Sequence, residues 1–387
     1  MRIAYVSTDP GIPVFGCKGA SIHVQEMIRA FLVKGAEVTV ISPRLEGDRP
    51  ADLCSVLQYP LPPAPKGDNA HRTLKQIALN GSVTQALSDA GPFDLIYERH
   101  ALFSFAAMEF ARNRCIPSVL EVNAPLIDEQ SRHRSLLRID DAIVMAHRAV
   151  HAARQIVTVS PEVSEYVVGL GAEPGRIKIE PNAVTPARFP EPASFDGPFR
   201  VGFLGTLKPW HDVVTVVSAF ALLKKSVPDA ELLIVGDGPE RAALTAQADA
   251  AGILKHTYFT GAVPADEVPG WLAKMHVGLA TYRGADPFYF SPLKLYEYMA
   301  AGLPCVVSRV GTLADAIEEN RTGLSVTPDS PECLAEALAQ LAAYPDLTRQ
   351  MGQKARAHVL ASRTWDHVAS RVLARAGVFS QPVTGAA

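Results

Sequence analysis

A lysine and a glutamate three residues apart, Lys294 and Glu297, stand at the start of a short apolar helix within FYFSPLKLYEYMAAGLPCVVS, residues 288–308. Ser291 suits the N-cap and Pro292 the first helical position, so both side chains should share one face of the first turns. A helix N-terminus carries free N–H groups and partial positive charge, so a lysine there is mildly unfavourable unless an anion binds. Two interpretations stay open: a phosphate at the helix tip with Glu297 holding a nearby hydroxyl, or a surface ion pair.

A glycine-containing loop follows the first predicted strand in STDPGIPVFGCKGASIHVQEM. Gly16 and Gly19 allow backbone to approach a ligand, and Lys18 adds a positive charge. The alternative is an ordinary loop, because glycine-rich loops after a first strand are common and need bind nothing.

Fingerprints of other nucleotide sites are missing from the sequence. GDGPER begins at Gly236, but Arg241 occupies the position of the third glycine of GxGxxG, and no GxxxxGK[ST] occurs. No Asp-x-Asp triplet occurs either. A diphosphate would therefore have to be neutralised by helix termini and side-chain cations rather than by a metal, and no metal site is expected.

Composition limits the class of protein. The 387 residues suffice for two or three domains, 48% are hydrophobic, and the net charge of −3 gives no field for nucleic acid. Five scattered cysteines suit reduced thiols, the chain opens on a strand rather than a signal peptide, and no apolar run reaches about twenty residues. A cytoplasmic protein is expected, with at most peripheral association with the inner membrane face.

The elements that would position these residues alternate between apolar strands and amphipathic helices in both halves, which predicts an α/β fold with two doubly wound parallel sheets. Ligands of such sheets bind beyond the carboxyl ends of the strands, so a cleft between the domains is the expected site. The predicted strands are RIAYVS, EVTVIS, DLIYER, SVLEVN, QIVTVS, RVGFLG, ELLIVG, YFTG, VGLATY, PCVVS and GLSV. The predicted domains are 1–185, 200–355 and a helical tail over 356–387 that packs back on the first domain, with a linker over 186–199.

Two segments interrupt the alternation. Residues 43–70, with YPLPPAPKGDN, are predicted to form a long proline-rich insertion that is a loop rather than a domain. Residues 131–154 are predicted to form one basic helix, either a solvated face or a surface for an anionic acceptor or membrane.

Several motifs together resemble the family-four glycosyltransferases. They are VGFLGTLKPWHD, LLIVGDGPE, FTGAVPADEVPGWLAKMHVGLATY, SPLKLYEYMAAGLPCVV and the linker motif PNAVTPARF, in the family's order and spacing. The resemblance covers nearly the whole chain. It implies the GT-B fold of two Rossmann-like domains and a retaining, metal-independent transfer of a sugar from a nucleotide diphosphate donor to an acceptor hydroxyl, an EC 2.4 hexosyltransferase-type activity. It implies no cofactor, a UDP- or GDP-type donor, and a small-molecule, glycan or lipid-linked acceptor.

By this resemblance, the diphosphate meets the amides of Leu293 and Lys294 and the Lys294 amine, and Glu297 bonds the ribose. The nucleotide and diphosphate residues implied are Gly16, Lys18, Gly19, Thr206, Lys208, His211, Val263, Ser291, Leu293, Lys294 and Glu297. Tyr289, Phe290 and Asn123 are assigned to the donor sugar, and the catalytic set is Lys294, Asn123 and Gly19. Glu98, Arg99 and His100, which end a strand, are assigned to the acceptor, with a structural ion pair as the alternative.

The sequence departs from the family pattern at three places. Tyr289 stands where the family often has the first Glu of Glu-x7-Glu, and Asn123 where many relatives have His. Thr206 and His211 replace an Arg and a Lys that meet the diphosphate, so Lys208 or His211 would substitute. Packing or loop-tying roles remain the alternatives for His211, Val263 and Asn123. A nucleotide-sugar epimerase, a sugar phosphorylase, or a degenerate nucleotide-sugar-binding protein are the competing functions.

Overall fold

A computed structural model describes residues 1–63, 67–133, 136–190, 197–285 and 287–378. The chain divides into two compact units. Unit 1 comprises Met1–Pro181 and the C-terminal segment from Trp365, and unit 2 comprises Asn182–Thr364. Within the described part of the chain, no helix combines the length and the apolar character that crossing a membrane requires.

Unit 1 is built on a parallel sheet. Its strands are β1 (Arg2–Ser7), β2 (Glu37–Ser42), β3 (Leu57–Pro60), β4 (Leu95–Arg99), β5 (Ser118–Val122), β6 (Gln155–Thr158) and β7 (Ile177–Ile179). They lie in the order β3-β2-β1-β4-β5-β6-β7. The central strands are buried along nearly their whole length, which explains their continuous apolar sequences.

Helices follow most strands of unit 1 and cover the sheet. They are α1 (Gly19–Val33), α2 (Asn69–Ala90), α3 (Ala106–Asn113), α4 (Leu126–His133), α5 (Ile139–Ala152) and α6 (Pro161–Gly169). Local capping fixes some of their starts: the Ser160 hydroxyl accepts the Val163 N–H at α6, and Asp68 accepts the His71 N–H at α2.

Unit 2 repeats the plan with a parallel sheet in the order β10-β9-β8-β11-β12-β13. Its strands are β8 (Arg200–Leu204), β9 (Glu231–Val235), β10 (Thr257–Phe259), β11 (Val277–Ala280), β12 (Cys305–Ser308) and β13 (Gly323–Val326). Its helices are α7 (Val213–Leu223), α8 (Arg241–Ala250), α9 (Val268–Leu272), α10 (Leu293–Ala300), α11 (Pro331–Ala343) and α12 (Pro345–Ser362). A last helix, α13 (Trp365–Ala376), belongs to unit 1.

All eleven predicted strands are present, and the predicted α/β class with two parallel sheets is confirmed. The proline-rich segment 43–70, predicted as a loop rather than a domain, contains the strand β3, which was not predicted. β3 lies at the edge of its sheet, where a proline such as Pro60 is tolerated. The other edge strand, β7, is only three residues long and was not predicted.

The single basic helix predicted over 131–154 is two helices. α4 ends at His133 and α5 begins at Ile139, after Arg138 adopts a left-handed conformation with φ of 60°. Residues 134 and 135 of this segment lie outside the described residues.

The division of the chain differs from the predicted domain bounds. Residues 182–190 lie within unit 2, where Val184 and Phe189 are buried and Val184 bridges to Thr364. Of the predicted linker 186–199, residues 191–196 fall outside the described residues. The tail is divided as well, since α12 stays in unit 2 and only α13 joins unit 1.

Candidate functional site

The strand order places one candidate site in each unit. In both sheets the chain leaves the first strand for one side and later returns to the other side, so β1 lies beside β4 and β8 beside β11. Ligands of open parallel sheets bind at the carboxyl ends of the strands at this switch point. The predicted site residues of unit 2 follow β8 and β10 or lie in and before α10, and those of unit 1 follow β1, end or follow β4, and follow β5.

The start of α10 carries no side-chain cap. The helix begins at Leu293 with Pro292 as N-cap, so the prediction that Ser291 caps it is wrong. Ser291 instead accepts two bonds from Asn182: its hydroxyl takes the Asn182 backbone N–H at 2.8 Å, and its carbonyl takes the side-chain amide. Because Ser291 is engaged elsewhere, the first amides of α10 lack a side-chain partner and can receive an anion.

Lys294 is buried, with 7% of its surface exposed, and its Nζ has no hydrogen-bond partner in the described part of the chain. The amine lies 4.2 Å from the centre of the Phe203 ring and 5.2 Å from that of Tyr282. Burial lowers the pKa of Lys294 to about 7. The alternative of a surface ion pair with Glu297 is therefore wrong: Lys294 is a buried amine without a partner among the described residues, and a buried charge normally requires one.

Two turns, one after β8 and one after β9, pack against each other beside this amine. A Cβ on Gly205, which has φ of +143°, would lie 3.5 Å from the Lys294 Nζ. A Cβ on Gly236 would lie only 2.0 Å from the Gly205 carbonyl oxygen. Because residue 236 has no side chain, the turn after β9 can pack directly on the turn after β8. This packing holds Gly205 next to the Lys294 amine.

His211 is the second basic group of the unit 2 site. Its Nδ1 lies 2.6 Å from the Thr206 carbonyl oxygen, and since a carbonyl only accepts, Nδ1 carries the proton and Nε2 the lone pair. Burial, together with the Lys294 charge, lowers the pKa of His211 to about 3, although the Thr206 bond opposes this shift. The proximity of two basic groups without an anion favours a negatively charged ligand.

The remaining predicted residues of unit 2 differ in burial and in their contacts. Thr206 is exposed, and the Lys208 amine lies 5.6 Å from the Trp210 ring. Val263 is half-buried against the hydrophobic core, as its packing alternative predicted. Leu293 and Glu297 are half-buried on α10.

Aromatic rings form much of the wall around Lys294, a role that was not predicted from the sequence. Tyr289 and Phe290, predicted for the donor sugar, have ring centres 4.3 Å apart, and Phe290 stacks on Tyr282 at 6.1 Å. Tyr282 also contacts His211 at 5.4 Å. The signal was available, because Tyr282 and Phe203 end or nearly end predicted strands that lead into the site.

In unit 1, the loop after β1 leads to an uncapped helix start. α1 begins at Gly19, and exposed Lys18 is its N-cap without a side-chain bond. Gly16 has a packing role that the sequence did not indicate: a Cβ there would lie 2.8 Å from both Pro13 and the Ser21 hydroxyl.

The predicted acceptor residues separate into two environments. Arg99 is 3.5 Å from Glu121, whose other oxygen is 2.5 Å from His23 Nε2. Burial would raise the pKa of Glu121, but the His23 and Arg99 charges outweigh it and lower that pKa to about 2. The ion-pair alternative therefore holds for Arg99.

Among the described residues, Glu98 and His100 have no such counter-charge. Burial raises the pKa of Glu98 to about 7 and lowers that of His100 to about 4, so His100 is neutral at pH 7. Three polar atoms here are buried without a hydrogen-bond partner among the residues that the structure describes: Glu98 Oε2, His100 Nδ1 and Asn123 Nδ2.

Two family models match the chain, "Glycosyl transferase 4-like domain" over residues 18–183 and "Glycosyl transferases group 1" over residues 185–358. The chain is 32% identical over 172 residues to the GDP-mannose-dependent alpha-(1-6)-phosphatidylinositol monomannoside mannosyltransferase of Mycobacterium tuberculosis, a match spanning 44% of this chain and 45% of that protein's length. It is 26% identical to the D-inositol 3-phosphate glycosyltransferase of an Arthrobacter species, over 92% of this chain and 90% of the relative. The crystal structure of Anabaena HepE in complex with UDP matches at a TM-score of 0.73 and 17% identity, covering 98% of this chain and 100% of that one.

Proposed function

The chain belongs to the group 1 glycosyl transferases and has their GT-B fold, and from this premise we propose that it transfers a sugar from a nucleoside diphosphate sugar to an acceptor hydroxyl. We further propose that the transfer retains the anomeric configuration and needs no metal ion. The observation that carries the proposal is the buried, unpaired Lys294 amine in the first turn of a helix without a side-chain cap.

The chemistry proposed for this site is displacement of a diphosphate. The acceptor oxygen forms a bond to the anomeric carbon while the bond from that carbon to the β-phosphate oxygen breaks. The nucleoside diphosphate leaves with the electron pair, and the hydroxyl proton passes to the leaving phosphate or to solvent. Charge grows on the diphosphate in the transition state, so a preorganised cation and helix amides accelerate the step.

His211 fits a supporting role. With Nδ1–H held by Thr206, its Nε2 is a hydrogen-bond acceptor in the unliganded protein, and a bound anion would favour its protonation. Where the family pattern has an Arg and a Lys, this chain has Thr206 and His211. Thr206 holds the His211 ring, and the Nε2 atom of His211 is the group left to meet the diphosphate.

The donor and acceptor are proposed only as classes. One relative is named as GDP-mannose-dependent and one structural neighbour is described in complex with UDP, so both bases are candidates for this chain. Relatives are named for lipid-linked and inositol phosphate acceptors, which supports a small-molecule or lipid-linked acceptor.

The test is donor turnover with and without metal. The full chain is incubated with UDP-glucose and GDP-mannose in EDTA, and release of nucleoside diphosphate is followed without acceptor and with candidate acceptors. We expect release to persist in EDTA and the product to keep the donor's anomeric configuration by NMR. Strict dependence on added Mg²⁺ or Mn²⁺, or an inverted product, would overturn the metal-free retaining mechanism. No turnover of either donor, with or without acceptor and metal, would overturn the transfer proposed from UDP- and GDP-sugars.

A further inference from the structure

The linker motif PNAVTPARF belongs to the same hydrophobic core as α10, the helix of the unit 2 site. From Asn182 onwards the motif lies in unit 2. Its Val184 and Phe189 side chains are buried in one core with Leu295 and Met299 of α10. The motif is therefore part of the packing around this helix as well as a connection between the units.

Hydrogen bonds connect the motif to both ends of α10. Before the helix starts, Asn182 donates its backbone N–H to the Ser291 hydroxyl at 2.8 Å and its side-chain amide to the Ser291 carbonyl. At the last residue of the helix, the Arg356 guanidinium donates to the Ala300 carbonyl, and it also donates to the Phe189 carbonyl at 2.6 Å. The motif thus helps to hold α10 at its start and at its end.

Ser291 joins two parts of the candidate diphosphate site. On one side of it in the chain is Phe290, whose ring stacks on that of Tyr282 with centres 6.1 Å apart. On the other side α10 begins, with no side-chain cap on its first N–H groups. Because Asn182 bonds both the hydroxyl and the carbonyl of Ser291, it fixes the orientation of the residue between the aromatic wall and the helix.

The start of α10 gains from being fixed before a ligand arrives. Its N–H groups and the Lys294 amine bind an anion most favourably when they are already oriented, because no reorganisation then opposes binding or the growth of charge on a leaving group. A first turn that moved freely would have to be ordered at each binding event, with a loss of conformational entropy.

We propose that Asn182 is a positioning residue for diphosphate binding, acting through Ser291 on the first turn of α10. The inference rests on the proposed function, because it takes the diphosphate of a nucleotide sugar as the ligand of this turn. Asparagine suits the role, since its carboxamide donates to the Ser291 carbonyl whereas an aspartate has no proton to donate. The competing explanation is that Asn182 only stabilises the fold of unit 2.

The test is titration calorimetry of Asn182→Ala, as the full chain, with UDP, GDP, uridine and guanosine. Loss of the carboxamide should weaken binding of the nucleoside diphosphate about fivefold, the scale of one neutral hydrogen bond, and leave binding of the nucleoside unchanged. A residue that only stabilised the fold would lower the unfolding temperature without separating the two ligands. Unchanged diphosphate affinity, or equal losses for diphosphate and nucleoside, would overturn the proposal.

Ser291→Ala tests whether Asn182 acts through Ser291. Alanine removes the hydroxyl that accepts the Asn182 N–H and keeps the carbonyl that accepts the carboxamide. We expect a loss of diphosphate affinity in this variant too, and a double variant, Asn182→Ala with Ser291→Ala, that loses less than the two single losses combined, because residues in one network are not additive. Losses that combine fully would show that the two residues act separately and would overturn the proposal.

Thr257→Val is the matched control. The buried Thr257 hydroxyl also donates to a backbone carbonyl of unit 2, that of Ile253 at 3.1 Å, but Thr257 is the first residue of β10 and so lies at the amino end of its strand. This variant should lose thermal stability and keep all four affinities. A loss confined to the diphosphates in Thr257→Val as well would overturn a specific role for Asn182.

The wild-type protein separates failure of this inference from failure of the proposed function. A wild type that binds UDP or GDP while Asn182→Ala binds it equally well contradicts only the positioning role. A wild type that binds neither diphosphate contradicts the proposed donor site, and the positioning role with it.

Discussion

At the scale of single residues, Lys294 explains most of the unit 2 site. A buried amine with no hydrogen-bond partner destabilises the empty protein, and evolution rarely keeps such a group without a ligand. The two aromatic rings beside it stabilise its charge only partly, since cation–π contacts contribute about 0.5–2 kcal/mol. The site is therefore organised for an anion before one arrives.

A pH prediction follows from this burial. The folded pKa of Lys294 is about 7, below the ordinary lysine value of about 10.4, so the unfolded chain binds more protons between these two values. The unliganded protein should therefore gain stability as pH rises from 7 towards 10 through this group. Denaturant titrations of wild type and Lys294→Met across this pH range measure the free energy of unfolding of both proteins. The difference between the two free energies should shrink as pH rises. A difference that does not change with pH would contradict the burial argument.

At the scale of elements, the turns after β8 and β9 form the surface against which the Lys294 amine lies. Gly236→Ala would force a Cβ to within 2.0 Å of the Gly205 carbonyl oxygen and impose a side chain on φ of +138°. We expect lower thermal stability and a loss of nucleoside diphosphate affinity larger than the loss of nucleoside affinity, because the turn beside the amine must move. Titration calorimetry on the folded variant measures the affinities for the nucleoside diphosphate and for the nucleoside.

Gly81→Ala is the control for this variant. Gly81 lies within α2, and a Cβ there meets nothing within 4 Å. Alanine should stabilise the helix by about 0.5–1 kcal/mol and leave both affinities unchanged. Equal effects of the two variants would show that the turn geometry at Gly236 is not specific to the site.

The elements were largely predictable from sequence, and the details of the site were not. Continuous apolar strands with helices between them indicated both parallel sheets, because buried strands leave an unambiguous pattern. β3 and β7 were not predicted, because edge strands are short and tolerate proline. The Ser291 cap was wrong because its hydroxyl bonds Asn182, a residue 109 positions away, and local sequence preference cannot report such a contact.

The burial of Lys294 is a second feature that local sequence could not report. Its position in the first turn suggested an anion, but the sequence left a surface ion pair equally open. Only tertiary packing against Phe203, on β8, and Tyr282, just beyond β11, separates the two interpretations.

At the scale of the whole molecule, the chain passes between its units twice. It enters unit 2 at Asn182 and returns to unit 1 at Trp365, so α13 completes a unit whose other elements lie before Pro181. Trp365 contacts His23 at 4.7 Å, and Arg371 and Arg375 both pair with buried Glu180. Unit 1 therefore depends on the end of the chain.

Trp365→Ala tests this dependence. Removing a buried tryptophan costs about 3–5 kcal/mol, and Trp365 is 3% exposed, so amide protection measured by hydrogen exchange should fall mainly in unit 1. Trp271→Ala, a half-buried tryptophan on α9, should instead lower protection in unit 2. The same loss in both units for either variant would contradict two separately packed units.

The most direct test of the central claim is calorimetry of Lys294→Met with a nucleoside diphosphate, UDP or GDP, and with its nucleoside. Methionine keeps the volume and removes the charge, so diphosphate binding should weaken by about 1.5–3 kcal/mol while the nucleoside affinity stays unchanged. Lys274→Met is the matched control: this exposed amine lies 3.9 Å from the Trp271 ring, and its loss should change neither affinity. Equal losses for diphosphate and nucleoside in Lys294→Met, or no loss for either, would contradict the claim that Lys294 binds the diphosphate.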